Sequence, residues 1–202
     1  MWHNEGELSY VYLEVLKVNM DPFERIVKRD QPLSKVDVTQ GRSIAYSRST
    51  TRRLMELIDA NAHGNVHGGV IMRLVDESAA IVAMKHSQCP TVVTARVERF
   101  DFLAPAFIGD VVSVPCEMHF VGRTSMEVGV EIMAENIITG EVRHIGSSYV
   151  IYVALDENGK PTPVPPLVPT DDEEKEIIER AYNRRMKRQK IEKELMQAEE
   201  NQ

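Results

Sequence analysis

The chain has 202 residues, 43% of them hydrophobic and 27% charged, a composition that fits a globular protein with its own core and excludes a collagen-like rod or wholesale disorder. Its 24 basic and 31 acidic residues leave a net charge of −7, so a nucleic-acid backbone is repelled overall. Cys89 and Cys116 stand apart without ligand spacing and read as buried structural thiols; with no apolar run of about 18 residues and no leader-like start, the sequence predicts a cytoplasmic protein without a membrane span.

Residues 1–40 lack a sustained period and carry turn-biased Asp21-Pro22 and Gln31-Pro32, so they read as an extension. Ser43 to Met55 shows a β-like pattern and leads into a breaker-rich loop from Asp59 to Asn65. His67 to Lys85 has no proline and is apolar at Val70, Ile71, Leu74, Val75, Ala79, Ile81 and Val82, which predicts a helix buried on most of its faces. Four β-branched runs follow: Thr91 to Phe102, Asp110 to Val121, Ser125 to Ile138 and Val142 to Leu155. Turn residues at Pro105 to Gly109, Gly122 to Thr124 and Thr139-Gly140 join them, which predicts a four-strand meander. With the first strand, the expectation is an α+β domain over residues 41–160, an antiparallel sheet of about five strands wrapped around a central helix.

Residues 161–202 complete the chain. Pro161 to Pro169 holds five prolines in nine residues and predicts an extended arm without ladder hydrogen bonds. Thr170 to Gln202 reads as a helix capped by Thr170 or Asp171, acidic at its start and basic further on, as the macrodipole favours. Arg184, Arg185, Lys187, Arg188 and Lys190 are taken as a solvated face with i,i+4 pairs rather than a patch for an anionic partner.

The chemistry concentrates where Gly64-Asn65-Val66-His67-Gly68-Gly69 runs into the helix that carries Asp76. Gly68 and Gly69 at a helix start can offer backbone N–H groups and the positive helix end to a developing oxyanion, although a glycine pair by itself is more often a plain tight loop and helix start. Asp76 lies about two turns inside the helix, too far in to cap it, so it needs either a task or a partner such as Arg73. His63 and His67 are four apart, but Gly64 between them spoils the shared helix face a metal would need, and His67 reads as a loop-holding hydrogen-bond partner.

Asn65-x-His67-Gly68-Gly69, Leu74-Val75-Asp76-Glu77, the strand from Ala95 to Phe102, Gly122-Arg123-Thr124-Ser125-Met126-Glu127 and Tyr152-Val153-Ala154-Leu155-Asp156 occur in this order. Together they resemble the hotdog-fold acyl-CoA thioesterases, in particular the cytosolic brain-type hydrolases and their single-domain bacterial relatives, over about Gly41 to Arg188. The resemblance implies hydrolysis of fatty acyl-CoA within fatty acid metabolism, with coenzyme A as part of the substrate and no further cofactor or metal. It implies that Asn65 of one subunit works with Asp76 of another, the latter as general base or nucleophile, beside the Gly68 and Gly69 amides. The minimal active unit is then a homodimer, joined through sheet edges and assembled as three dimers in a homohexamer.

Coenzyme A carries phosphates that an acidic protein must meet locally, and Arg123 in the Gly122 to Ser125 turn, with the Thr124 and Ser125 hydroxyls, is the candidate contact. Met72, Met84, Phe100 and Phe102 are either acyl lining or core; as a lining, the methionines would tolerate varied chains, with medium to long ones favoured. The alternative is a non-hydrolytic acyl-CoA-binding regulator; a hydratase would need an Asp/His motif that the sequence lacks.

Overall fold

A computed structural model describes residues 36–200, so most of the expected extension over residues 1–40 lies outside the described residues. The β-like start of the domain divides in two. Ile44–Ser47 forms a single helical turn, α1, whose cap Ser43 accepts a hydrogen bond from the Tyr46 amide, and Ser49–Leu54 forms strand β1. The central helix α2 spans Gly68–Ser87, two residues past the expected end, and stops at Gln88, whose left-handed backbone returns its N–H to Met84. Strands β2 (Thr91–Phe102), β3 (Asp110–Val121), β4 (Ser125–Asn136) and β5 (Val142–Leu155) follow. Strand β4 ends two residues early because the Asn136 side chain accepts the Ile138 and Thr139 amides and closes the turn.

All five strands are antiparallel, but their order is β1-β3-β4-β5-β2. The predicted four-strand meander therefore holds for β3-β4-β5 alone, and β2 lies beside β5, with Phe102 opposite Gly146 and Thr94 opposite Tyr152. The cause is the long β2–β3 joint. Its backbone is spent elsewhere: Leu103 donates to Ile145, Ala106 accepts from Val66, and Gly109 donates to Met55. Arg143 fixes the joint through the Pro105 carbonyl and the buried Asp110 carboxylate. The segment thus passes under the start of α2 instead of turning back on β2.

Helix α2 fills the concave face of the sheet. Ile71, Leu74, Val75, Ala79, Val82 and Ala83 pack on Val112, Val114, Met118, Met126, Val128, Val130 and Ile132 from the strands. Burying the valine, leucine, isoleucine and methionine side chains among them contributes about 1.5–3 kcal/mol each, which holds the helix in the sheet. The expectation of a helix buried on most faces is too strong for one protomer: Met72, Asp76, Glu77, Ile81 and Met84 form an exposed stripe.

The proline-rich arm is also bonded, contrary to expectation. Its non-proline residues do the work: Thr162 donates to Ala154, Val164 donates to the Arg123 carbonyl, and Val168 donates to Arg42. Helix α3 (Asp172–Glu200) then packs on the outer face of the sheet, its start capped by Asp171. Two of its basic residues meet sheet carboxylates, Arg184 on buried Glu127 and Arg188 on Glu98, both at 2.7 Å. Arg184 also lies over the Tyr149 ring and Arg185 over Phe120. The solvated-face reading survives for Lys190, which pairs with Glu194. It fails for Arg184 and Arg188, because the carboxylates that recruit them lie on strands distant in sequence, and for Arg185, which covers the Phe120 ring; Lys187 is exposed as expected.

Candidate active site

The start of α2 is built by a folded loop. Asp59, 4% exposed, holds the Glu56 amide and Arg53 with its carboxylate and the His67 amide with its carbonyl. Asn61 Oδ1 accepts the His63 and Asn65 amides, and Gly64 takes φ +80°, a backbone that favours glycine. With Oδ1 occupied, Asn61 has its NH2 left to offer.

His67 caps the helix. Its Nδ1 accepts the Gly69 N–H at 3.0 Å, the loop-holding role expected of it. The same bond commits the Gly69 amide, so Gly69 departs from the expected pair of oxyanion donors. Gly68 remains, with no acceptor for its N–H among the described residues. It lines a cavity of about 390 Å³ with Asn61, Asn65, Val66, Ile71, Phe102, Leu103, Ala106 and Ile145. Asn61, Asn65 and Gly68 form its polar end, and the rest is apolar. Of the candidate acyl-lining residues, Phe102 is here, Phe100 packs against the core, and Met72 and Met84 lie on the exposed stripe of α2.

Asp76 is not in this cavity. Eight residues further along α2, it lies about 12 Å from Gly68 along the helix axis. Its suggested partner Arg73 pairs with Glu77 instead. Asp76 Oδ1 accepts the Thr94 hydroxyl at 2.7 Å and the Tyr152 hydroxyl approaches the same oxygen at 3.0 Å and the Asp76 carbonyl at 2.8 Å. Tyr152 is fully buried, and burial together with the Asp76 charge pushes its phenol well above the ordinary range, so it stays a donor. The carboxylate itself faces out of the protomer.

The Gly122 to Ser125 turn belongs to this second group. Ser125 pairs with Val153, next to Tyr152, and Tyr152 stands between Met126 and Thr94. Arg123 is exposed and forms no ion pair among the described residues; its carbonyl accepts Val164, and the Thr124 carbonyl accepts Ala154. One protomer therefore carries two sets at opposite ends of the sheet: Asn61, Asn65 and Gly68 at one, Asp76, Thr94, Tyr152 and Arg123 at the other.

Sequence reasoning missed Asn61, Thr94 and Tyr152. Asn61 carried a signal in its Asx-turn position before Gly64. Tyr152 stood in a motif of the family resemblance without a role, and Thr94 had no signal, because only strand register brings the two to Asp76. The cysteines divide: burial pushes the Cys116 thiol up to about 12, while half-buried Cys89 donates to the Leu155 carbonyl.

Residues 63–151 match the model of the thioesterase superfamily. An acyl-CoA thioester hydrolase of Bacillus subtilis, itself uncharacterized, is 41% identical over 117 residues, 58% of this chain and 67% of that protein. The cytosolic acyl coenzyme A thioester hydrolase of Rattus norvegicus is 37% identical over 145 residues, 70% of this chain, which spans 38% of that longer relative. Among solved structures, an apo-hexameric acyl-CoA thioesterase is 39% identical with a TM-score of 0.71, covering 75% of this chain and 96% of that one. An acyl-CoA hydrolase of Staphylococcus aureus, solved with butyryl coenzyme A and coenzyme A, is 36% identical with a TM-score of 0.68, covering 80% and 99%. That hydrolase was also solved with an aspartate or an asparagine replaced by alanine, two positions fifteen apart. Fifteen is also the spacing of Asn61 and Asp76 here, whereas Asn65 and Asp76 are eleven apart. With its five-stranded hotdog sheet around a central helix, the chain belongs to the acyl-CoA thioester hydrolases of the thioesterase superfamily.

Proposed function

We propose that the protein hydrolyses acyl-CoA to a free acid and coenzyme A at a site shared between two subunits. The observation that carries this is the separation of the two sets: a cavity lined by carbonyl-polarising groups and no carboxylate, and an exposed carboxylate that lies outside that cavity. A two-fold-related copy turned end for end brings Asp76, Thr94 and Arg123 of one protomer to the Asn61, Asn65 and Gly68 cavity of the other.

The chemistry follows from the groups. The Gly68 N–H at the positive end of α2 and an asparagine amide polarise the thioester carbonyl. The Asn61–Asp76 spacing and the preset NH2 group favour Asn61 over Asn65 as that amide. Thr94 and Tyr152 occupy Asp76 Oδ1, which leaves Oδ2 to take a proton from water as the water oxygen attacks the carbonyl carbon; the thiolate of coenzyme A leaves and is protonated. Arg123 with Thr124 and Ser125 meets the phosphates of coenzyme A. The substrate serves fatty acid metabolism in the cytoplasm, and three dimers assemble as a hexamer. No observation favours the non-hydrolytic regulator.

Thiol release from acyl-CoA, followed colorimetrically, tests the activity. Asp76→Asn and Asn61→Ala each lower turnover by about a hundredfold or more. Refolding the two inactive variants together returns roughly a quarter of wild-type activity, because half of randomly paired dimers are mixed and each mixed dimer has one intact site. Mixed dimers without recovered activity overturn the shared site.

A further inference from the structure

We propose that Phe102 sorts acyl groups by branching next to the thioester, admitting straight chains and excluding those with a methyl on the carbon beside the carbonyl. The inference rests on the proposed docking of the carbonyl at the Gly68 amide and adds a specificity residue to that site. The Phe102 ring stands end-on to the helix start. A β-carbon built on Gly68 would meet its Cζ at 3.3 Å and both Cε atoms at 3.8 Å, so the ring tip occupies the space beside Gly68 that a side chain would need. Phe102 is fixed from behind by Phe100, whose ring centroid is 4.7 Å away at 39°, and Phe100 is itself packed against the core. The following residue, Leu103, donates its amide to Ile145, which fixes the strand end that carries the ring.

The cavity that Phe102 lines is also lined by buried Val66, Ile71, Ala106 and Ile145. With the carbonyl at the Gly68 amide, the first carbon of the acyl chain lies beside the ring tip. A straight chain runs on along the apolar lining, but a methyl on that first carbon projects toward ring atoms that Phe100 backs on one side. The other side of Phe102 is open, at 52% exposure, so the ring is an edge wall whose loss leaves the core intact.

One methyl group rejected or accepted by an apolar wall corresponds to about 10- to 200-fold in specificity. The test compares butyryl-CoA with isobutyryl-CoA, which have the same carbon count and differ in one branch. Wild-type protein should favour butyryl-CoA at least about tenfold in kcat/KM, Phe102→Leu should give a smaller ratio, and Phe102→Ala should bring it within about threefold of unity. Calorimetric Kd values for the same two compounds, measured with Asp76→Asn added to each protein so that turnover is slow, should move in parallel. A wild-type protein without preference, or a Phe102→Ala protein that keeps the wild-type ratio, overturns the proposal. Absence of thiol release from every acyl-CoA would instead refute the hydrolase reading, and the ratio of calorimetric Kd values would still decide the role of Phe102.

Discussion

Replacing Tyr152 with phenylalanine removes a single oxygen from a fully buried side chain and asks whether Asp76 must be held to work. The hydroxyl lies 3.0 Å from Asp76 Oδ1 and 2.8 Å from the Asp76 carbonyl. A hydrogen bond to a charged group is worth about 1.5–3 kcal/mol, and the exposure of Asp76 places this one at or below the lower end, about 1–1.5 kcal/mol. For a chain of this size that corresponds to a fall of about 2–6 °C in Tm. Thr94 still holds Oδ1, so the carboxylate stays in place but loses half its support, and the expected loss in kcat is about tenfold, equivalent to 1.4 kcal/mol. KM should not move, because the hydroxyl points at Asp76 and not into the cavity. The loss should also be the same across neutral and mildly alkaline pH, since burial and the Asp76 charge keep the phenol protonated there. Steady-state thiol release and a thermal melt measure both effects. A variant that melts lower yet keeps wild-type kcat would show that Tyr152 only packs, and the account of Asp76 as a held base would fail.

Arg184→Met leaves Glu127, 3% exposed, without its cation, and should cost up to about 3 kcal/mol, discounted for the partial exposure of Arg184; an unchanged Tm would mean that α3 does not depend on the pair. Arg123→Ala should raise KM for acyl-CoA more than it lowers kcat, and an unaltered coenzyme A affinity removes Arg123 from the site. His86 is buried with Nε2 against the Pro165 carbonyl, and burial lowers its pKa, so the unfolded chain binds a proton that the folded one does not. Its contribution is therefore complete above about pH 6.5 and is lost as pH falls from there toward the folded value, at no more than about 1.4 kcal/mol per pH unit. Urea midpoints between pH 5 and 7 should show this slope, and His86→Gln should flatten it.

Local patterns determined much of this protein without tertiary help. Turn residues and β-branched runs set the limits of β2, β3 and β5 to the residue, and the glycine pair after His67 marked the start of α2, because both signals act within a few residues of chain. The same stretch showed Gly68 and Asp76 as chemical candidates and carried the family resemblance. Tertiary structure decided what depends on distance. The seven residues after Phe102 bond to Ile145, to Val66 just before α2 and to Met55 instead of turning back on β2, and β2 lies at the far edge of the sheet beside β5. That placement in turn brings Thr94 and Tyr152 to Asp76, so the groups that hold the carboxylate could not be read from spacing along the chain. The basic stripe of α3 is the same case: its periodicity matches a solvated helix, and only the folded sheet reveals Glu98 and Glu127 waiting for Arg188 and Arg184. Hydrogen bonds and ion pairs reach about 3 Å whatever the sequence separation, and it is the packing of α2 into the sheet that makes those distances short.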